Sequence, residues 1–164
     1  MKSKLLKISR TARLAAALFL ATGASLASAQ APAAPASAAA VTLNEQQAAA
    51  ADAAGKLAAT AWLNQLDAAM WGEAWDQASQ VFKTNVPIGT WMDNMPKERG
   101  PLGRATDRQV SDSIVNTQMA NQPAGVYVSV LFTTTFPGKP PMEEIVTTRR
   151  EPDGRFRVMG YSRR

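Results

Sequence analysis

The 164-residue sequence contains no cysteine and no histidine. Without cysteine the chain can form no disulfide bond and cannot carry a lipid on a lipobox cysteine. Zinc, copper and haem sites of the usual kind need Cys or His ligands, so we expect no metal site and no cofactor. A serine triad also lacks its histidine base. Carboxylates therefore remain as the candidate acid–base groups.

Long apolar segments are scarce as well. A bilayer span needs about 20 apolar residues, and the apolar run at residues 14–20 is too short for one. That run follows a cationic stretch and precedes small residues that end in Ala27-Ser28-Ala29. This order is typical of a secretory signal peptide. We therefore expect cleavage after Ala29, a periplasmic or secreted protein, and no transmembrane segment in the mature form.

The net charge of the chain depends on this leader. The whole sequence carries 18 Lys and Arg against 13 Asp and Glu. Five of the cations lie in residues 1–29, which leaves 13 cations against 13 acids after cleavage. The mature chain has no basic stripe with interleaved aromatic residues, so we expect no nucleic-acid partner.

The rest of the chain divides into a tether and one domain. Residues 30–43 are rich in Ala and Pro and have little apolar side chain to offset the entropy of ordering, which predicts a disordered tether. Residues 44–164 are predicted to form a single domain. A capping box from Thr42 to Glu45 opens an alanine-rich helix, which Gly55 weakens, so its first part is expected to fray. Gly72 is predicted to end this helix.

Two further helices and four strands follow in the prediction. Apolar residues at helical spacing predict helices over residues 74–82 and 88–95, with Pro96 closing the second. Alternating patterns predict strands at residues 111–119, 125–136, 142–150 and 155–162. On the last strand, Val158 is placed on one face and Met159 and Tyr161 on the other. The predicted fold is α+β, with three N-terminal helices packed on a curved four-stranded antiparallel sheet.

Several stretches, taken in order, resemble the family called domain of unknown function 4019. They are Trp62-Leu63, Leu66-Asp67, residues 75–79, Phe82, Trp91, residues 99–104, residues 125–128, residues 144–147 and residues 151–161. Val126, Ile145 and Phe156 depart from the family pattern, in which an acid, a threonine and a tryptophan are usual. The resemblance implies a small secreted bacterial protein of uncharacterised function. Its layout also resembles the nuclear transport factor 2-like superfamily, a cone-shaped fold, and fold alone does not fix function.

Two carboxylates are candidate catalytic residues. Glu144 lies on a strand beside Val146, and Asp67 lies at a helix end among aromatic residues. A carboxyl group that faces an apolar cavity becomes a stronger base. Paired with a tyrosine donor such as Tyr127 or Tyr161, either carboxylate could act as the base, as in the cyclases and isomerases of that superfamily. In the alternative interpretation Asp67 lies on a polar helix face, and Glu144 is solvated or forms an ion pair. The partners considered for that ion pair are Arg149, Arg155 and Arg157.

Four other residues are candidate ligand contacts. Trp71, beside a predicted turn, and Tyr127, on the central strand, could line a pocket. Arg99 and Arg104 flank a Gly-Pro turn and could clamp a carboxylate or a phosphate. Alternatively, the two arginines hydrogen-bond loop carbonyls and pair with acids such as Asp107. The other tryptophans fall on helix stripes typical of a hydrophobic core.

These observations favour a non-enzymatic protein that binds a small apolar ligand or an envelope protein partner. The alternatives are a cyclase- or isomerase-like enzyme and a structural interaction module of the cell envelope. The module would need only an exposed apolar patch. The sequence does not indicate an oligomeric state.

Overall fold

The computed structural model describes residues 40–164, so the predicted signal peptide and most of the predicted tether lie outside the described residues. Its elements are α1 (Glu45–Asp67), α2 (Trp71–Gln77), α3 (Gln80–Asn85), α4 (Ile88–Glu98), a 3₁₀ turn (Gly100–Leu102), β1 (Asp107–Asn116), β2 (Tyr127–Thr135), β3 (Met142–Arg150) and β4 (Phe156–Arg163). The four strands form one antiparallel sheet in the order β1-β2-β3-β4. The predicted α+β class and four-stranded sheet are confirmed. Within residues 40–164, no helix has the length and apolar character needed to cross a membrane.

Helix α1 begins two residues later than the predicted capping box. Asn44, not Thr42, is the N-cap, and its side chain accepts a hydrogen bond of 2.8 Å from the Gln47 backbone amide. The Gln47 side chain accepts one of 3.0 Å from the Asn44 amide in return. The prediction was wrong in register because Asn-x-x-Gln offers the same reciprocal pair as Thr-x-x-Glu.

Gly55 allows close packing and causes no break. Helix α1 continues through it and contacts all four strands. A Cβ atom at this position would lie 2.5 Å from the Cβ atom of Val128 on β2. The expected fraying is therefore wrong, since the missing side chain lets the helix backbone lie against the sheet.

The remaining helix boundaries also differ from the prediction. Helix α1 ends at Asp67, and Gly72 lies within the next helix. The predicted helix over residues 74–82 is two helices, because Ser79 caps α3 by accepting a 3.1 Å hydrogen bond from the Phe82 amide. The Ser79 amide donates to the Val158 carbonyl of β4 at 2.8 Å, which holds this break against the sheet edge. The described residues thus contain four α-helices where three were predicted.

The hydrophobic core lies between the helices and one face of the sheet. Its largest members are Trp62, Leu63, Leu66, Phe82, Trp91, Met95, Val128, Val130, Phe132, Val146 and Val158. The indole N–H groups join the helices to one another. Trp62 donates to the Ala74 carbonyl at 2.8 Å, and Trp91 donates to the Trp71 carbonyl at 2.7 Å. Each buried indole therefore satisfies a backbone acceptor at a helix junction.

An irregularity in β4 changes which residues face the helices. Thr147 pairs with Gly160 but Thr148 pairs with Val158, so Met159 is an extra residue. A bulge of this kind shifts the alternation of side chains by one position. Val158 and Tyr161 therefore both pack against the core. The predicted placement of Tyr161 on the face opposite Val158 is wrong for this reason.

Candidate functional site

Four charged side chains form a buried cluster at one end of the helix–sheet interface. Asp67 ends α1, Arg99 follows α4, Arg108 lies near the start of β1, and Glu144 lies on β3. Their side chains are 6%, 1%, 9% and 0% exposed, respectively. Buried charges are tolerated only when they are paired and hydrogen-bonded, so the contacts within the cluster determine what it can do.

Glu144 accepts hydrogen bonds from three side chains. Thr134 Oγ1 on β2 donates to Glu144 Oε2 at 2.7 Å, and Arg108 Nη2 donates to the same oxygen at 3.0 Å. The Tyr161 hydroxyl on β4 donates to Oε1 at 2.7 Å. The carboxylate is thus held by groups from three strands, and Tyr161 reaches it because of the bulge at Met159.

Asp67 is held by both arginines. Arg108 donates to it through Nη1 at 2.7 Å and Nη2 at 3.0 Å, a bidentate pair. Arg99 donates to it through Nη2, and Arg99 Nη1 donates to the Gly103 carbonyl at 3.0 Å. The Arg99 guanidinium also lies 4.3 Å from the ring centre of Phe136, a cation–π contact. Arg108 therefore bridges both carboxylates, and the cluster ties α1 and the end of α4 to the sheet.

The cluster perturbs two titratable groups. Burial acts to lower the pKa of Arg108, but hydrogen bonds and charges from Asp67 and Glu144 outweigh it and raise the pKa above its usual value. Burial and the adjacent Glu144 charge raise the pKa of Tyr161 well above its usual value. Tyr161 therefore remains protonated and donates to Glu144 at any physiological pH.

A cleft of about 430 Å³ adjoins this cluster. Its walls come from α3, α4 and the end of β4. The lining residues are Phe82, Val86, Thr90, Trp91, Asn94, Met95, Glu98, Arg99, Tyr161, Ser162 and Arg163. The volume lies in the range of about 300–1,000 Å³ typical of small-molecule sites. The cleft has an apolar wall of aromatic and aliphatic side chains and a polar end where Tyr161 and Arg99 meet the buried cluster.

The six residues proposed from the sequence occupy different places. Glu144 and Asp67 lie together in the cluster, bridged by Arg108. Arg99 belongs to both the cluster and the cleft wall. Trp71, Tyr127 and Arg104 do not line the cleft. Trp71 is partly buried at the start of α2 and Arg104 is exposed, whereas Tyr127 is buried and its hydroxyl donates to the Pro123 carbonyl.

The partners of Glu144 and Asp67 differ from those considered in the alternative interpretation. Glu144 pairs with Arg108 and not with the arginines near the β3–β4 turn. Among those, Arg157 pairs with Asp153 at the surface. The hydrogen bond from Arg157 lowers the pKa of Asp153 to about 2. Asp67 does not lie on a polar helix face, because α1 ends there against the cluster.

Sequence reasoning missed Arg108 and Thr134. The predicted first strand began at residue 111, which left Arg108 in a loop, whereas β1 starts at Asp107. Arg108 pairs in register with Thr134, so the two residues share a face of the sheet. The alternating pattern of the strand, followed towards the N-terminus from residue 111, could have indicated Arg108. An extra residue, Ser111, between Val110 and Asp112 interrupts that pattern. In residues 40–164 no group of three or more acidic side chains is arranged to hold a metal ion.

Comparison with known proteins identifies one family. Residues 58–161 match the family described as Protein of unknown function (DUF4019), so the match runs from the second half of α1 to Tyr161 in β4 and includes every member of the buried cluster. No curated protein and no solved structure matches the chain. Because the match extends over more than half of the sequence, the chain belongs to the family Protein of unknown function (DUF4019).

Proposed function

We propose that this protein binds a small, mainly apolar ligand in the cleft between α3, α4 and β4 and does so without catalysing a reaction. The observation that carries the proposal is the cleft of about 430 Å³ with Phe82, Trp91 and Met95 on its wall. Small-molecule sites are concave, mostly apolar and supplied with a few placed polar groups, and this cleft has that composition. Such a cleft favours a ligand over a purely structural module, which would need only an exposed apolar patch.

The buried cluster supports the part of the proposal that excludes catalysis. A general base needs a lone pair directed at its substrate. Glu144 already accepts hydrogen bonds from Thr134, Arg108 and Tyr161 and is fully buried. Asp67 is bound by two guanidinium groups. In this proposal the cluster is the rigid floor of the binding site, and the sheet curves around the helices as in the nuclear transport factor 2-like cone.

The proposal includes the place of action. The leader at residues 1–29 directs export, so the ligand is met in the periplasm or outside the cell. An envelope protein partner remains the other binding partner that we propose, as the source or the recipient of the ligand.

Native mass spectrometry of protein purified from its own host tests the proposal. We expect an adduct of small-molecule mass on the wild-type protein. Asn94→Trp places a large side chain at an exposed position on the cleft wall and should abolish the adduct. Met92→Trp is the matched control, because Met92 is exposed on the same helix but does not line the cleft. A clean apo mass for the wild type, or equal adducts for both variants, would contradict the proposal.

Acid–base catalysis is the second candidate, and one observation favours it. Tyr161 lines the cleft and donates to Glu144 at 2.7 Å, so a proton could pass between a bound substrate and the carboxylate through this hydroxyl. NMR can follow exchange with D₂O at the carbon beside the carbonyl of an aliphatic methyl ketone. Under this second candidate, wild-type protein accelerates the exchange and Tyr161→Phe does not, whereas non-enzymatic binding gives no acceleration by either. Exchange no faster than in buffer would exclude this candidate.

A further inference from the structure

The polar end of the cleft carries a positive charge that the buried cluster does not neutralise. Within the cluster, the charges of Asp67 and Glu144 are balanced by those of Arg99 and Arg108. Arg163 also lines the cleft and is partly buried. It forms no ion pair with any residue in the described part of the chain. Its charge is therefore in excess at this end.

The position of Arg163 is fixed by the sheet. It pairs in register with Glu144 across β3 and β4, and Tyr161 lies two residues earlier on the same strand. Residues two apart on a strand, and residues directly opposite each other, share a face. Arg163 therefore lies on the helix-covered face next to Tyr161, at the junction of the cleft and the cluster.

A second, independent observation concerns Arg99. This side chain lines the cleft and is 1% exposed, yet its Nε has no hydrogen-bond partner among the described residues. Glu144 Oε1 is 3.8 Å from it, too far for a hydrogen bond. A buried N–H group without a partner costs free energy until an acceptor reaches it. Arg99 therefore brings a second guanidinium group, with one unused N–H group, to the polar end of the cleft beside the excess charge of Arg163.

The acidic residue of the cleft does not cancel this charge. Glu98 lines the cleft at the end of α4, but it is exposed, and water and salt screen an exposed charge. Arg163 is partly withdrawn from water. Away from water the dielectric constant is lower, so an opposite charge interacts with Arg163 more strongly. Guanidinium groups are well suited to carboxylates because both are planar and can form paired hydrogen bonds.

We infer that the ligand is an amphipathic carboxylate, an apolar chain or ring with one terminal carboxylate, and that Arg163 sets this specificity. This inference rests on the proposed binding function of the same cleft. The apolar part lies against Phe82, Trp91 and Met95, and the carboxylate meets Arg163 at the polar end of the cleft, beside Arg99.

Three probes with the same apolar chain and different head groups test the inference: decanoate, decanol and decyltrimethylammonium. Each is titrated, below its micelle concentration, into protein purified from cells that express the whole chain, and binding is followed by calorimetry and tryptophan fluorescence. We expect decanoate to bind about tenfold more tightly than decanol, which corresponds to about 1.4 kcal/mol, and the cationic probe to bind most weakly.

Variants assign the effect to Arg163. Arg163→Gln should remove the preference for decanoate and leave decanol unchanged, whereas Arg163→Lys, which keeps the charge, should retain most of it. Arg104→Gln makes the same charge change at an exposed arginine outside the cleft and should have no effect. Far-UV circular dichroism checks that each variant is folded.

The outcomes separate this inference from the proposed function. Equal affinities for decanoate and decanol, or the same loss in Arg104→Gln as in Arg163→Gln, would overturn the carboxylate inference and leave ligand binding in place. If the wild-type protein bound none of the three probes, both the carboxylate inference and the proposed ligand binding would be overturned.

Discussion

At the scale of single residues, the buried cluster joins parts of the chain that are far apart in sequence. Asp67 and Glu144 were singled out separately, one for its helix end and the other for its strand. Neither position indicated that both would share Arg108, because that contact requires β1 to pair with β2 in a register set by a bulge. The sequence pointed to both carboxylates as candidates but did not point to the arginine that joins them.

Glu144→Gln tests how strongly the cluster supports the fold. The change removes one buried negative charge and leaves Arg108 and Arg99 with Asp67 alone. Breaking a buried ion-pair network by removing one partner costs about 3–5 kcal/mol, so we expect a loss of this size in the free energy of unfolding measured by urea denaturation. Glu143→Gln is the control, since Glu143 pairs with Arg164 at the surface and its side chain is 40% exposed.

The control should cost less than about 1 kcal/mol, as exposed ion pairs do. Similar small losses for both variants would mean that the cluster contributes little to stability. The role of a rigid floor beneath the cleft would then be untenable.

The raised pKa of Tyr161 predicts a specific alkaline response. Burial and the Glu144 charge raise it above the unfolded value of about 10. The contribution of Tyr161 to stability is therefore complete below pH 10 and is lost as the pH rises further, because the unfolded chain then ionises and the folded chain does not. The stability gap between the wild-type protein and Tyr161→Phe should thus be constant from pH 7 to about 9 and shrink above about 10.

Chemical denaturation at a series of pH values measures this gap. Absorbance of the phenolate in the Tyr127→Phe variant gives an independent check, because Tyr161 is then the remaining tyrosine. A gap that stays constant through pH 11, or a Tyr161 that ionises near pH 10 in folded protein, would contradict the assignment.

At the scale of helices and strands, local patterns predicted which elements exist but not where alternation breaks. The order of helices before strands and all four strands were visible as periodicity, and the strand over residues 142–150 was placed with its exact bounds. The bulge at Met159 left no such signal, because Phe156 to Tyr161 also reads as a regular alternation. The pairing of β4 with β3 determines the position of the bulge. The bulge places Tyr161 beside Glu144 and on the cleft wall.

The contact of α1 with β2 gives an element-scale prediction. Alanine favours a helix over glycine by about 1 kcal/mol, so a reading of α1 alone would predict that Gly55→Ala is stabilising. A Cβ atom at position 55 would lie 2.5 Å from the Val128 Cβ atom and 2.7 Å from its Cγ2 atom. We expect Gly55→Ala to destabilise the protein by about 1–3 kcal/mol, because the helix must move away from the sheet.

Gly89→Ala on α4 is the matched control. A Cβ atom there meets nothing within 4 Å, so helix propensity acts alone. Because Gly89 lies in the first turn of α4, we expect a gain of at most about 0.5 kcal/mol. Thermal unfolding of the two variants side by side makes the comparison. If both substitutions raise the melting temperature, the close approach of α1 to Val128 is wrong.

At the scale of the whole molecule, the net charge depends on the segment that is predicted to direct export. The excess of five positive charges over the full sequence is confined to residues 1–29, and the remaining chain has equal numbers of cations and acids. The charge of Arg163, unpaired among the described residues, is therefore a local feature of a chain that is otherwise neutral. A neutral domain attracts anions generally only weakly, so selectivity for an anionic ligand would arise within the cleft.

Cleavage of the leader is the prediction at this scale. Intact-mass analysis of protein from the periplasmic or extracellular fraction of its host should give the mass of residues 30–164, because small residues at Ala27 and Ala29 suit a signal peptidase. Ala29→Arg places a bulky charge at the predicted cleavage site and should leave the leader attached and the protein in the membrane fraction. Ala31→Arg, which lies just beyond the site, is the control and should be cleaved and released. If wild-type protein from the soluble exported fraction retained residues 1–29, the leader would be part of the mature protein, and the neutral net charge would have to be abandoned. If the protein were missing from both exported fractions, the proposed place of ligand capture would have to be abandoned.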